Sequence, residues 1–380
     1  MSKRTAWLMA GAVAMAAPMA ASAAVPAGDY RVGFFTDSTG PLAAAGLSYT
    51  HGAELAVAEI SAADTIAQGA KLSLDIKEAG GDAARAIQDM HQFLADRRIL
   101  ATSCCILSPI ANSLKPVVAG KIALVIYGAT APGLPALPWV YSVTALPGPK
   151  DVETAATVAK ALKPQTVAYF VSADNDAFKT RMAAAEKAVT ETGAKTAAVI
   201  SVLGTDTDFT APATQAMGAN PDVIMVYTTQ TPAAGIVAAL RARGFKGTIV
   251  GNDVLAPAPI WKKIGAPLVG VPFPLSFSPD INQSPEAKAF VAAYRKQYDA
   301  APDLYAAQGY EAMWLIAQAL HGMDGTPTRE GLAEALSHQT AIEHNVYGGL
   351  KLNDGQAEIV ATTIVSWTAD GTLAPWKAPQ

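Results

Sequence analysis

The sequence predicts an α/β protein built of two Rossmann-like, three-layer lobes, and three observations carry that expectation. Short strand-like apolar runs alternate with helical patterns over nearly the whole chain, as in parallel sheets covered by helices on both faces. The Pro/Gly-rich stretch Leu146-Pro147-Gly148-Pro149 divides the alternation into two sets. The 380 residues, 51% hydrophobic and 16% charged, are enough for two domains with a full core each.

In the first set, strands are expected at 30–35, 72–76, 99–101 and 122–126, the last a continuous apolar run suited to burial on both faces. Helices are expected around 52–60, 82–95 and 111–119. In the second of these Ile87, Met90 and Leu94 share a face, and Asp82 follows Gly80-Gly81 as the cap. In the second set, strands at 166–171, 196–202, 223–227 and 248–251 are separated by helices near 151–162, 178–192, 209–217 and 232–243. Two long helical patterns, 285–298 and 304–321, and a β-rich tail over 347–367 fit neither set.

The N-terminus reads as an export signal over residues 1–23: Lys3 and Arg4, an apolar run from Trp7 to Ala17, and the small-residue pattern Ala21-Ser22-Ala23. The apolar run is about half the roughly 20 residues of a spanning helix. The formal charge of −4, more negative still after loss of Lys3 and Arg4, gives no general attraction to nucleic acid or an anionic membrane. Export permits disulfides, yet the two cysteines, Cys104 and Cys105, are adjacent. A trans peptide sets neighbouring Cα atoms ~3.8 Å apart, below the ~4.4–6.8 Å usual for disulfides. Two unbridged thiols are therefore expected, with a strained vicinal disulfide as the alternative. No His or second Cys pair stands at metal-ligand spacing.

Function in open α/β sheets sits at the carboxyl ends of the strands. Those ends read Thr36 to Pro41, Ser103 to Ser108, Tyr127 to Thr130, Ser172 to Phe178, Thr228 to Thr231 and Gly251-Asn252-Asp253. They are rich in hydroxyls, amides and small residues, and none pairs a nucleophile with a base. Gly-x-Gly-x-x-Gly, the phosphate loop, His-Glu-x-x-His and Gly-x-Ser-x-Gly are absent from the sequence. The histidines fall in helices or near the tail, and Asp206-Thr207-Asp208 reads as helix capping. Neither an enzyme nor a cofactor is expected. Hydroxyls and backbone N–H groups at helix starts suit a small anion such as a carboxylate, and Ser108 with Gly128-Ala129-Thr130 stands at two neighbouring strand ends.

Over about residues 30–370 the chain resembles the periplasmic solute-binding proteins of the branched-chain amino acid type, which serve ABC importers and have the type I periplasmic-binding fold. The resemblance rests on Ser38 to Leu42 through Gly46, Gly52 to Ala56, Gly128-Ala129-Thr130, Asn175 to Phe178, Gly309 to Ala312 and Gly349 to Gly355. It implies three hinge crossings, near 143–146, 272–277 and 346–352, with residues 24–144 plus 276–347 in one lobe and 145–275 plus 348–380 in the other. It also implies a periplasmic monomer that closes over a carboxylate-bearing small molecule and docks on membrane permease subunits. Leu107 or Ser108, with Ala129 and Thr130, resembles the carboxylate-holding set. Phe178 resembles the aromatic wall and Asp253 the acidic partner of a ligand amine, with Gln230 and Thr231 facing the cleft. Either Cys104 or Cys105 lines it, with Cys105 taken as the candidate, since neighbouring side chains of an extended segment point to opposite sides.

Departures from that pattern bear on the ligand. Ala43-Ala44-Ala45 replaces a bulky aromatic, the tyrosine that the family often has near Gln230 and Thr231 is lost, and Ala79-Gly80 occupies the place of an expected cysteine. The wider pocket makes an aromatic or other organic acid a competitor to leucine. Such an acid meets an ill-placed negative charge at Asp253 unless another group compensates. A sensor with the same fold, feeding a membrane signalling partner, is the alternative function.

Overall fold

The computed structural model describes residues 24–39, 42–359 and 363–379. The expected export signal, and Gly40-Pro41, lie outside the described residues. Strands β1 (Gly28–Thr36), β2 (Ala70–Glu78), β3 (Ile99–Cys104), β4 (Ala123–Ile126) and β5 (Val140–Ser142) form a parallel sheet. The antiparallel hairpin of β11 (Leu350–Asn353) and β12 (Gln356–Ile359) extends it, giving the order β11-β12-β5-β4-β3-β1-β2. Period-two alternation sends neighbours to opposite faces. Phe34 and Val125 enter one apolar layer with Phe290, Tyr310 and Ile316, while Phe35 and Leu124 enter the other with Phe93, Ile110 and Leu114. Burial on both faces is why β4 is apolar throughout.

Helices α2 (Ala83–Ala95) and α3 (Ser108–Val118) supply residues to the second layer, and α1 (Ala43–Ala62), α9 (Pro285–Tyr298), α10 (Leu304–His321) and α11 (Arg329–Ser337) to the first. Asp82 caps α2 as expected, its Oδ1 accepting the N–H groups of Ala84 and Arg85 at 2.8 and 3.1 Å. α1 and α10 touch backbone to backbone: a Cβ on Gly52 would fall on the carbonyl of Ala306, and one on Gly309 on the carbonyl of Tyr49.

The second lobe holds a parallel sheet of β6 (Thr166–Ser172), β7 (Lys195–Val202), β8 (Val223–Tyr227) and β9 (Thr248–Val250), in the order β7-β6-β8-β9. An antiparallel sheet of β10 (Phe273–Leu275), β13 (Thr363–Trp367) and β14 (Leu373–Pro375) shares its core through Phe273, Val365 and Trp367. Helices α4 (Pro147–Leu162), α5 (Asp176–Thr190), α6 (Thr210–Gly218), α7 (Gln230–Ala242) and α8 (Ala258–Ile264) accompany these sheets.

Two expectations are corrected. Residues 348–359 do not join the second lobe: Asp354 and Gly355, both at positive φ, turn the hairpin back so that Gln356 pairs with Ser142 of β5. The change of sheet falls between Ile359 and Thr363 rather than at 346–352. The two cysteines are not free thiols either, because Cys104 and Cys105 form a vicinal disulfide. Their peptide is cis and their Cα atoms are 3.4 Å apart, so the trans spacing behind the earlier expectation does not hold. Helices α8 and α11 were not anticipated; at seven and nine residues they offer little periodicity to read.

Candidate functional site

In the first lobe, β3 and β4 end side by side, with Cys104 opposite Ile126. The ladder continues past both ends: the Cys104 carbonyl accepts the Tyr127 N–H at 2.8 Å and the Cys105 carbonyl accepts the Ala129 N–H at 2.9 Å. Ser108, first residue of α3, accepts the N–H groups of Thr130 and Ala131 on its Oγ at 3.3 and 3.0 Å. Its own O–H remains available to donate. No side chain caps α3, but Pro109 has no N–H and the Ile110 and Ala111 N–H groups donate to the Leu107 carbonyl at 3.1 and 3.2 Å, so the Ser108 N–H is the donor left at its start. Gly128 has no room for a side chain, since a Cβ would stand 2.6 Å from the Tyr49 hydroxyl. The structure thus brings Ser108, Ala129 and Thr130 together. Leu107 packs against the apolar layer, and Cys105, 3% exposed, is buried in it.

A band of aromatic rings leads from this edge towards the other lobe. Tyr49 packs on Tyr127 and Tyr305, with centroids 4.5 and 5.2 Å apart, and donates to Gln308 Oε1 at 2.9 Å. Burial, and then Asp253 and Asp303, push the Tyr305 hydroxyl well above its usual range.

In the second lobe, Asn175 caps α5 by accepting the Ala177 and Phe178 N–H groups at 3.0 and 3.4 Å, which fixes the start of the helix carrying Phe178. Phe178 is buried, and the Arg181 guanidinium lies 4.9 Å from its ring centroid. Arg181 Nε donates to Asp151 Oδ2, and Arg181 Nη2 donates to Asp253 Oδ1 at 3.1 Å. Asp151 is fully buried and Asp253 has 30% of its side chain exposed. Burial pushes the Asp151 carboxyl up to about 6, against the pull of Arg181. Burial also opposes the Arg181 charge, but the two carboxylates hold it ionised. Asp253 is therefore not a bare acid facing the cleft. Gln230 Nε2 donates to the Val254 carbonyl at 3.4 Å, beside Asp253, while Thr231 is exposed at the start of α7.

Sequence reasoning missed Arg181 and Asp151, although each left a signal. Both occupy the buried stripe of a helix: Arg181 with Phe178, Ala185 and Val189 on α5, and Asp151 with Thr154, Ala155 and Val158 on α4. Opposite charges at stripe positions of consecutive helices mark a buried pair. Two cavities meet at Asp253 between the lobes, beside the crossings. One, of about 200 Å³, is lined by Phe277, Asp303, Tyr305 and Trp367 among others, and the smaller by Thr144, Ser276, Leu304 and Gln308 among others. Of the expected site residues, only Asp253 lines them. Asp208 Oδ1 accepts the Thr210 N–H at 2.9 Å just before α6, whose N-cap residue, Phe209, makes no side-chain cap bond. Among the described residues no group of three or more His, Cys, Asp or Glu is placed to hold a metal, and no helix is long and apolar enough to cross a membrane.

Two α/β lobes, each built on a parallel sheet, match a known family model. Residues 29–372 match the model described as periplasmic binding protein, and the chain belongs to that family. Its members are substrate-binding proteins of ABC transporters rather than enzymes, and they work in the periplasm. No curated protein matches the sequence. Among solved structures, a leucine binding protein from Thermotoga maritima is 20% identical over 91% of this chain and 97% of its own, with a TM-score of 0.80. A branched-chain amino acid transporter substrate binding protein from Streptococcus pneumoniae, in complex with isoleucine, is 24% identical over 89% and 100%, with a TM-score of 0.77. An ABC transporter solute binding protein from R. palustris, in complex with 4-hydroxybenzoate, is 18% identical over 92% and 95%, with a TM-score of 0.80. These likenesses establish the type I periplasmic-binding fold.

Proposed function

We infer that this protein is a monomeric periplasmic receptor that closes its two lobes over a small carboxylate-bearing solute and hands it to the permease subunits of an ABC importer. The solute is an organic acid without an amine, an aromatic carboxylate being the leading candidate. The observation that carries this reading is the ion pair between Arg181 and Asp253. An amino acid needs one carboxylate of the protein free to receive its ammonium group. Here that carboxylate is held by a buried guanidinium, so the compensating group that an amine-free acid requires is already in place. In the first lobe, the Ser108 hydroxyl and N–H and the Thr130 hydroxyl supply donors of the kind a carboxylate takes, while the Ala129 and Thr130 N–H groups are held by the Cys105 carbonyl and Ser108 Oγ. The isoleucine and 4-hydroxybenzoate complexes of the two relatives support the view that this fold accommodates either kind of acid.

Calorimetry of ligand-free protein with 4-hydroxybenzoate and with isoleucine separates the two. The aromatic acid is expected to bind in the micromolar range and isoleucine at least tenfold more weakly. The reverse order overturns the amine-free reading, and binding of neither below millimolar, with no acid co-purifying by native mass spectrometry, overturns the receptor reading. Ser108→Ala is expected to weaken binding of the aromatic acid about tenfold, the worth of one charge-assisted hydrogen bond, and to lower Tm by a few °C, because the Thr130 and Ala131 N–H groups lose their acceptor. An unchanged Kd would remove Ser108 from the anion site.

A further inference from the structure

We propose that the Cys104–Cys105 disulfide is a redox gate on the anion-holding edge of the first lobe: reduction loosens the loop of residues 106–108 and the 128–131 turn and weakens solute binding, and reoxidation restores it. This rests on the reading that Ser108 and Thr130 meet the solute. An ordinary disulfide stabilises a fold by closing a long loop of the unfolded chain. A bridge between neighbours closes no such loop, so its effect is local: it confines rotation about the backbone joining the two residues. That backbone lies where β3 ends and the loop begins. The two cysteine carbonyls receive the Tyr127 and Ala129 N–H groups, and Ser108 Oγ, three residues beyond Cys105, receives those of Thr130 and Ala131. One covalent ring therefore sets the direction in which the loop leaves the strand, and four backbone donors depend on that direction. The chain has no third cysteine, so the bond has no alternative partner within the molecule.

The step is thiol–disulfide exchange with a dithiol reductant. A thiolate attacks one sulfur, the Cys104–Cys105 bond breaks, and the dithiol leaves as its own disulfide; two electrons and two protons end on the two cysteine sulfurs. Both cysteines are buried, at 0% and 3% exposure, so the attacking thiolate needs the loop to open. Linkage then makes the effect reciprocal: if reduction weakens solute binding by some factor, bound solute protects the disulfide by the same factor.

The test uses the full mature protein and dithiothreitol buffers. Thiol titration after denaturation is expected to find no free thiol before reduction and two after it. Hydrogen exchange at Tyr127, Ala129, Thr130 and Ala131 is expected to quicken at least tenfold on reduction, with that of Val226 in the second lobe unchanged. The Kd for 4-hydroxybenzoate is expected to rise about tenfold, and saturating 4-hydroxybenzoate to raise by the same factor the ratio of reduced to oxidised dithiothreitol at half reduction. Cys104→Ser/Cys105→Ser is expected to behave as the reduced protein does and to ignore dithiothreitol. A bond that resists reduction in the folded protein, thiols that do not pair under oxidant, or equal exchange rates in the two states would each overturn the gate. Quickened exchange with an unchanged Kd would overturn the link to solute. Quickened exchange in a protein that binds no acid in either state keeps the redox response of the loop, and it is the receptor reading that fails.

Discussion

Gly309→Ala is expected to lower the thermal midpoint of the protein by about 6–12 °C, without altering the solute preference of the protein that stays folded. The added Cβ would overlap the Tyr49 carbonyl oxygen across the α1–α10 contact, and the offending atom belongs to a backbone rather than to a pliable side chain. Relief requires the helices to separate. They carry Tyr49, Ala53, Ala56, Ala312, Met313 and Ile316 of one core, so separation opens voids along the whole contact. Overpacking of this kind costs ~3 kcal/mol, and for a lobe of this size each kcal/mol moves Tm by about 2–4 °C. Gly52→Ala meets the Ala306 carbonyl from the other side and is expected to cost about as much. Gly148, whose Cβ direction is empty, supplies the control: Gly148→Ala is expected to shift Tm by less than 2 °C. A Gly309→Ala protein melting with the wild type would mean that the two helices do not cross in contact.

Those glycines show how far the sequence speaks. Gly52 and Gly309 were visible as parts of a family pattern, and the strands and long helices could be read from periodicity. The crossing that makes the two glycines necessary joins segments some 250 residues apart, which no local pattern records. The same limit applies to the tail. Asp354-Gly355 announces a hairpin, but whether it edges the first sheet or the second depends on the pairing of Gln356 with Ser142. At the candidate site, the closeness of Ser108, Ala129 and Thr130 was legible because strand ends in parallel sheets converge. Asp253 was legible as an acid but not as a paired one, because its partner lies on α5 and that partner's second carboxylate on α4.

Arg181→Met is expected to destabilise the protein by ~3–5 kcal/mol at pH 7.5, the usual cost of leaving a buried carboxylate unpaired, and by clearly less at pH 5. The sign follows from Asp151. Its folded-state pKa, about 6, stands above the ordinary 3.8, so the folded protein binds the proton more readily than the unfolded chain. Ionising Asp151 therefore withdraws stability as pH rises from about 4 to about 6, and Arg181 is the group that limits the loss. Without Arg181 the pKa moves higher still. At pH 5 Asp151 then holds its proton and little uncompensated charge remains, whereas at pH 7.5 the charge is either present and unpaired or neutralised at a cost. Denaturant melts of wild type and variant at the two pH values read this directly, and equal losses at both would show that packing on Phe178, not charge, is what Arg181 contributes. The same variant bears on solute recognition, because it frees Asp253 to face the cleft as a bare anion. Binding of 4-hydroxybenzoate at pH 7.5 is expected to weaken at least tenfold, since like charges brought together in a closed site cost several kcal/mol. Arg181→Lys keeps the charge but loses the fork that spans two carboxylates. It is expected to fall between wild type and Arg181→Met in both measurements, and it carries the test if the methionine variant does not fold. Tighter binding of the aromatic acid in either variant would mean that the Arg181–Asp253 pair is scaffold alone, with the solute read elsewhere.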